Sequence, residues 1–93
     1  MSYSVYILHS LSHDKFYIGQ TNDLKARILS HNFLSTNSYT SKYRPWILHY
    51  SFEVHSRSNA MALENYLKKK PRTFLIRIKD DVELQNYIIA KLG

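Results

Sequence analysis

Two runs rich in aromatic and β-branched residues, 3–10 (YSVYILHS) and 16–21 (FYIGQT), stand either side of the short polar stretch LSHDK. Such runs favour extended chain. With so short a break between them, an antiparallel hairpin is the expected start of the fold. Gly19, inside the second run, marks a bulge or a place where another group comes close to the backbone.

A helix start follows in TND, with Asn22 or Thr21 as cap and Asp23 near the positive helix end. The spacing predicts a helix over about 23–30, with Leu24 and Ile28 on one face. Arg27 and His31 border that face, so they point towards the sheet edge rather than straight into solvent. The stretch NFLSTNSYTSKYRP reads as a long polar connection. Residues 46–54 (WILHYSFEV) read as the third strand. SRSNA opens a helix with Ser58 as the expected cap, and Ala60, Leu63 and Leu67 carry its buried stripe. KKKPR ends that helix near Pro71. TFLIRI reads as a short helix. DDVE, beginning at Asp80, resembles an acidic capping box for a last helix over about 81–92, with Leu84, Ile88 and Leu92 in register. The expected fold is α/β (α+β): a three-stranded, mostly antiparallel sheet flanked by helices, in one domain over 1–93.

Composition narrows the function. With no cysteine there is no disulfide framework and no thiolate metal site, which fits a reducing cytoplasm. No stretch approaches the roughly 20 apolar residues of a membrane span, and MSYSVYILHS lacks the basic start of a signal peptide. A formal charge of +6 favours a polyanionic partner, most often nucleic acid. The chain has no phosphate-cradling glycine loop, no GxSxG and no HExxH.

What remains for chemistry is Tyr6, Tyr17, Arg27, His31 and Glu64. Phosphodiester cleavage needs a base or proton shuttle for water, a cation on the scissile phosphate and a ligand for a hard metal. Tyr or His can serve the first, Arg the second, and a single carboxylate can hold Mg²⁺ if water and phosphate complete its octahedron. Each residue also has a plainer role: strand packing for the tyrosines, a snorkelling surface arginine, a helix-end histidine, and an i,i+4 pair between Glu64 and Lys68.

Order and spacing add to this. VYIL at 5–8, YIGQT at 17–21, Arg27, HN at 31–32 and the later helical Glu64 resemble the GIY-YIG nuclease family, most closely its small single-domain bacterial members. YRPW, HYSFEVHSRSNAMALENYLKKK and PRTFL extend the likeness to roughly residues 2–78. The resemblance implies a GIY-YIG-like three-stranded sheet and a metal-dependent DNA endonuclease using one Mg²⁺ or Mn²⁺. It implies that Tyr6 and Tyr17 activate or orient water, that Arg27 stabilises charge on the phosphate and that His31 assists proton transfer. Glu64 would bind the metal, and Gly19 would leave the site uncrowded. Val5 stands where the first motif has its glycine. No asparagine follows Glu64 at the family's distance, Asn65 being too near and Asn86 too far.

The residue types do not choose between the two tyrosines. Contacts to the DNA backbone are expected from Lys42, Tyr43, Arg44, Lys68, Lys69, Lys70 and Arg72, with structure-guided or weakly specific recognition of DNA that can be branched or nicked. Two other readings stand beside this one. The first is a catalytically silent nucleic-acid-binding module of the same fold. The second is a protein-interaction domain whose tyrosines and Trp46 form the contact surface.

Overall fold

The computed structural model describes residues 2–34 and 38–93, the side chains of Ser38 and Tyr39 excepted. Strands β1 (Tyr3–Ser10) and β2 (Lys15–Thr21) form the expected hairpin, and β3 (Trp46–Val54) pairs antiparallel on the other side of β1. The strand order is β2-β1-β3, so the first strand is central.

That position explains why β1 reads as an unbroken apolar run. A strand covered on both faces has no solvent side to make polar. Val5 and Ile7 enter one core with Ile18, Phe52 and Val54. Tyr6 and Leu8 enter a second, with Trp46, on the opposite face. Val5 is fully buried, so the methyl groups that replace the motif glycine fill core space.

Helix α1 (Leu24–Leu29) continues into a π-helical turn, Ser30–Leu34, and Leu24 and Ile28 cover the Tyr6 face as their spacing predicts. Helix α2 (Ser38–Lys42) occupies part of the expected polar connection, of which residues 35–37 lie outside the described residues. Helix α3 (Arg57–Lys68) lays Ala60, Leu63 and Leu67 on the Val5 face. Helices α4 (Arg72–Ile78) and α5 (Val82–Leu92) close that core with Leu75, Ile78 and Ile88. Among the described residues no helix is long and apolar enough to cross a membrane.

The helix starts differ from expectation, each for the same reason. A cap must stand outside the helix with its oxygen on the amide three residues ahead. Asp23, not Asn22 or Thr21, meets this by accepting from Ala26 N at 3.1 Å, while Thr21 Oγ1 accepts from Asp23 N at 3.0 Å and holds the cap in place. Ser56, not Ser58, caps α3 through Asn59 N at 3.1 Å. Asp81, not Asp80, caps α5 through Leu84 N at 3.0 Å. Replacing Ser56 with alanine should cost about 1 kcal/mol in urea unfolding, and Ser58→Ala only a few tenths.

Candidate active site

The site forms where β1 and β2 bring their alternate side chains to one face. Tyr6 lies opposite Gly19 and Tyr17 opposite Leu8, so the two tyrosines are diagonal neighbours. Their rings stack with centroids 6.4 Å apart and planes at 22°. The Tyr6 phenol runs across Gly19. A Cβ there would stand 2.4 Å from the phenol oxygen and 2.7 Å from Cζ, with the ring only 1% exposed and unable to swing away. The glycine is required by this close approach. Gly19→Ala should lower unfolding stability by about 1–3 kcal/mol, as overpacking does, and a urea titration reads it.

His31 meets both rings edge-on, 5.8 Å from Tyr6 and 4.7 Å from Tyr17. Its Nε2 lies 3.0 Å from the Tyr6 hydroxyl. The ring is held there from β3 and the residues before it. Asn32 donates to the Trp46 carbonyl at 2.9 Å and accepts from Trp46 N at 2.6 Å, so one amide side chain completes both hydrogen bonds of that backbone unit. Arg44 Nε donates to the His31 carbonyl at 2.7 Å. These ties draw on the chain inside the π-helical turn, a conformation found at functional sites. Asn32 is a positioning residue whose structural role residue type alone did not reveal.

Arg27 is exposed on α1, and its positive charge reaches the Tyr6 phenol. The Tyr6 hydroxyl and His31 Nε2 share one hydrogen bond, whose donor follows the imidazole tautomer. Nδ1 is buried and, among the described residues, has no hydrogen-bond partner. Burial is the main force that pushes the Tyr6 phenol up to about 12, helped by the charges of Tyr17 and Glu64 and opposed by Arg27. Burial also pushes His31 down, with Arg27 and Arg44 acting the same way. The resting pair is thus a neutral phenol and a neutral imidazole.

Glu64 lies beside the fully buried Leu63, its side chain 17% exposed, with Lys68 Nζ 2.6 Å from Oε2. Its charge reaches the Tyr6 phenol. Tyr6, Tyr17 and His31 thus meet on one face of the sheet, and the charges of Arg27 and Glu64 both reach the Tyr6 phenol. The donor chemistry at Glu64 fits a hard divalent cation, since it offers carboxylate oxygen and the Lys68 stem is half exposed and can swing aside. Among the described residues no three of His, Asp and Glu cluster, so Glu64 would be a single protein ligand.

The expected backbone contacts are more scattered. Lys68 and Lys70 line a cleft of about 440 Å³ with Tyr17. Lys70 also covers the Tyr66 ring at 4.4 Å, while Lys69 is exposed. Arg72 pairs with Asp14 in the hairpin turn. Lys42 stands 5.5 Å from the Tyr43 ring, and Arg44 braces His31.

Two phenols and an imidazole thus meet on one face of the hairpin, within reach of the charges of Arg27 and Glu64. The chain matches the GIY-YIG catalytic domain over residues 2–77. It is 35% identical over 72 residues to a UPF0213 protein of Limosilactobacillus reuteri (strain DSM 20016), covering 75% of this chain and 74% of that one. The solution NMR structure of a UPF0213 protein from Bacillus halodurans is similar over 100% of this chain and 88% of that one, at 26% identity and a TM-score of 0.48. The chain belongs to the GIY-YIG nuclease family.

The buried imidazole has a pH consequence. His31 resists protonation in the fold, so its folded pKa lies below the ordinary value near 6.5. His49, pushed down chiefly by burial, has the same sign. Below that ordinary value the unfolded chain binds protons that the fold resists. Stability should therefore be greatest above about pH 7 and fall as pH drops through it, by at most about 1.4 kcal/mol per pH unit for each histidine. Urea midpoints between pH 7.5 and 5.5 should show this slope, reduced in His31→Gln.

Proposed function

We propose that the protein is a metal-dependent endonuclease that hydrolyses DNA phosphodiester bonds, guided by DNA shape or only weakly by sequence. The observation that supports this is the meeting of Tyr6, Tyr17 and His31 on one face, with the charges of Arg27 and Glu64 both reaching the Tyr6 phenol. In this reading the scissile phosphate sits at the open β2 edge beside Tyr17, and Gly19 leaves room for the Tyr6 phenol behind it. Arg27 faces it with a fixed positive charge. A Mg²⁺ or Mn²⁺ on Glu64, once Lys68 has swung aside, would supply Lewis-acid stabilisation of the charge that builds on the phosphate oxygens.

The two tyrosines take different roles. Tyr6 is buried, holds its proton and shares a hydrogen bond with His31. It orients the imidazole and feels the charge of Arg27. Tyr17 is only half-buried and forms a wall of the cleft lined by Lys68 and Lys70. It is the phenol that meets the attacking water, with the His31 ring in edge contact to assist proton movement.

The test is cleavage of labelled single-stranded, duplex, nicked, flap and branched DNA with Mg²⁺ or Mn²⁺. Glu64→Ala and Arg27→Ala, shown folded by circular dichroism, should each lose about 10²-fold or more in rate. Cleavage that survives both changes would overturn the assignment. No metal-dependent cutting of any substrate by the wild type would leave a nucleic-acid-binding module of the same fold.

A further inference from the structure

Strand β2 has an open edge, and a cleft borders it on each side of Gly19. One is the cleft of Tyr17, Lys68 and Lys70. The other, of about 330 Å³, is lined by Tyr3, Gln20, Thr21, Asn22, Arg27 and Arg57. It is polar, and no carboxylate lines it. At roughly 3.3 Å per strand residue, the step from Tyr17 to Thr21 spans about 13 Å. That is longer than one phosphate group needs.

Arg57 is the unusual member of the second cleft. It is the first residue of α3, where the helix dipole already presents positive charge and disfavours a cation. No acidic residue stands in that first turn to offset it. Among the described residues Arg57 takes part in no ion pair and no hydrogen bond. Other arginines of the chain are engaged: Arg72 with Asp14, Arg77 with Asp81 and Arg44 with His31. Two arginines and two side-chain amides thus line a space that, among the described residues, no carboxylate borders. An anion offering several oxygen acceptors completes it.

We infer that this cleft seats the phosphate next to the scissile one, held by Arg57, so that the substrate strand runs along the open edge of β2, past Gly19, towards Lys68 and Lys70. This rests on the nuclease reading for the position of the cut. In the same cleft Gln20 and Asn22 offer amide hydrogen bonds to sugar or base, and the partly buried Tyr3 offers a ring edge. Arg57 is a binding residue for the strand and takes no part in bond breaking.

The test separates binding from cleavage. Affinity for a labelled single-stranded 12-mer is measured by fluorescence anisotropy in EDTA, from 50 to 200 mM salt. Arg57→Ala should weaken binding about 5- to 10-fold and reduce the slope of log K against log salt by roughly 0.7, the loss of one phosphate contact on a single strand. Arg57→Lys should keep most of the affinity. With metal added, Arg57→Ala should raise KM by a similar factor and leave kcat within about two-fold. A neutral methylphosphonate, scanned along the strand, should at one position weaken the wild type by that factor and leave Arg57→Ala unchanged.

Wild-type affinity and salt slope in Arg57→Ala would overturn the proposal. So would inorganic phosphate binding at this cleft as tightly as the oligonucleotide, which would mark a pocket for the free anion. Failure of the nuclease reading shows instead as absent wild-type cleavage, while the EDTA binding data still judge Arg57.

Discussion

The Tyr6 phenol lies in the one strand that has neighbours on both edges and helices on both faces. A hydroxyl placed there must find a partner within the protein, because an unpaired hydroxyl costs about 1–3 kcal/mol. His31 provides that partner at 3.0 Å. Almost every other feature of the site serves that phenol. Gly19 leaves the space it crosses, Tyr17 stacks on it, and Asn32 and Arg44 hold the chain that carries His31. The structural and chemical demands coincide: satisfying a buried hydroxyl places an imidazole beside an open strand edge.

The electrostatics of this arrangement divide labour between the two tyrosines. Burial keeps the proton on Tyr6 and off His31, so their hydrogen bond is neutral. The half-buried Tyr17 lines the cleft of Lys68 and Lys70. Charge is distributed just as unevenly. Arg44, Arg72 and Arg77 brace the fold, whereas Arg27 and Arg57 border the open β2 edge. A net charge of +6 alone does not separate these roles.

Much of the fold was legible along the chain. The limits of β1 and β3 follow from their β-branched and aromatic runs, and the Ala60, Leu63, Leu67 stripe from helical spacing, because these signals are local. Cap positions were less legible, since Ser56 and Ser58, or Asp80 and Asp81, differ only in which of them stands outside the helix. The π-helical turn was not legible at all. It is accompanied by hydrogen bonds to Trp46 and from Arg44, residues that no local pattern links to His31. Arg57 was passed over because its type is ordinary and only its lack of partners distinguishes it.

The sequence by itself determined the three strands, most of the helices and the five candidate residues, because side-chain periodicity and motif spacing are properties of neighbouring positions. Tertiary structure alone decided which strand is central, which tyrosine is buried, which cations are already paired and which helix end remains positive. Those outcomes depend on desolvation and on charges brought together from β1, β2, α1 and α3. Distance and burial in space, which order along the chain does not encode directly, set their magnitude.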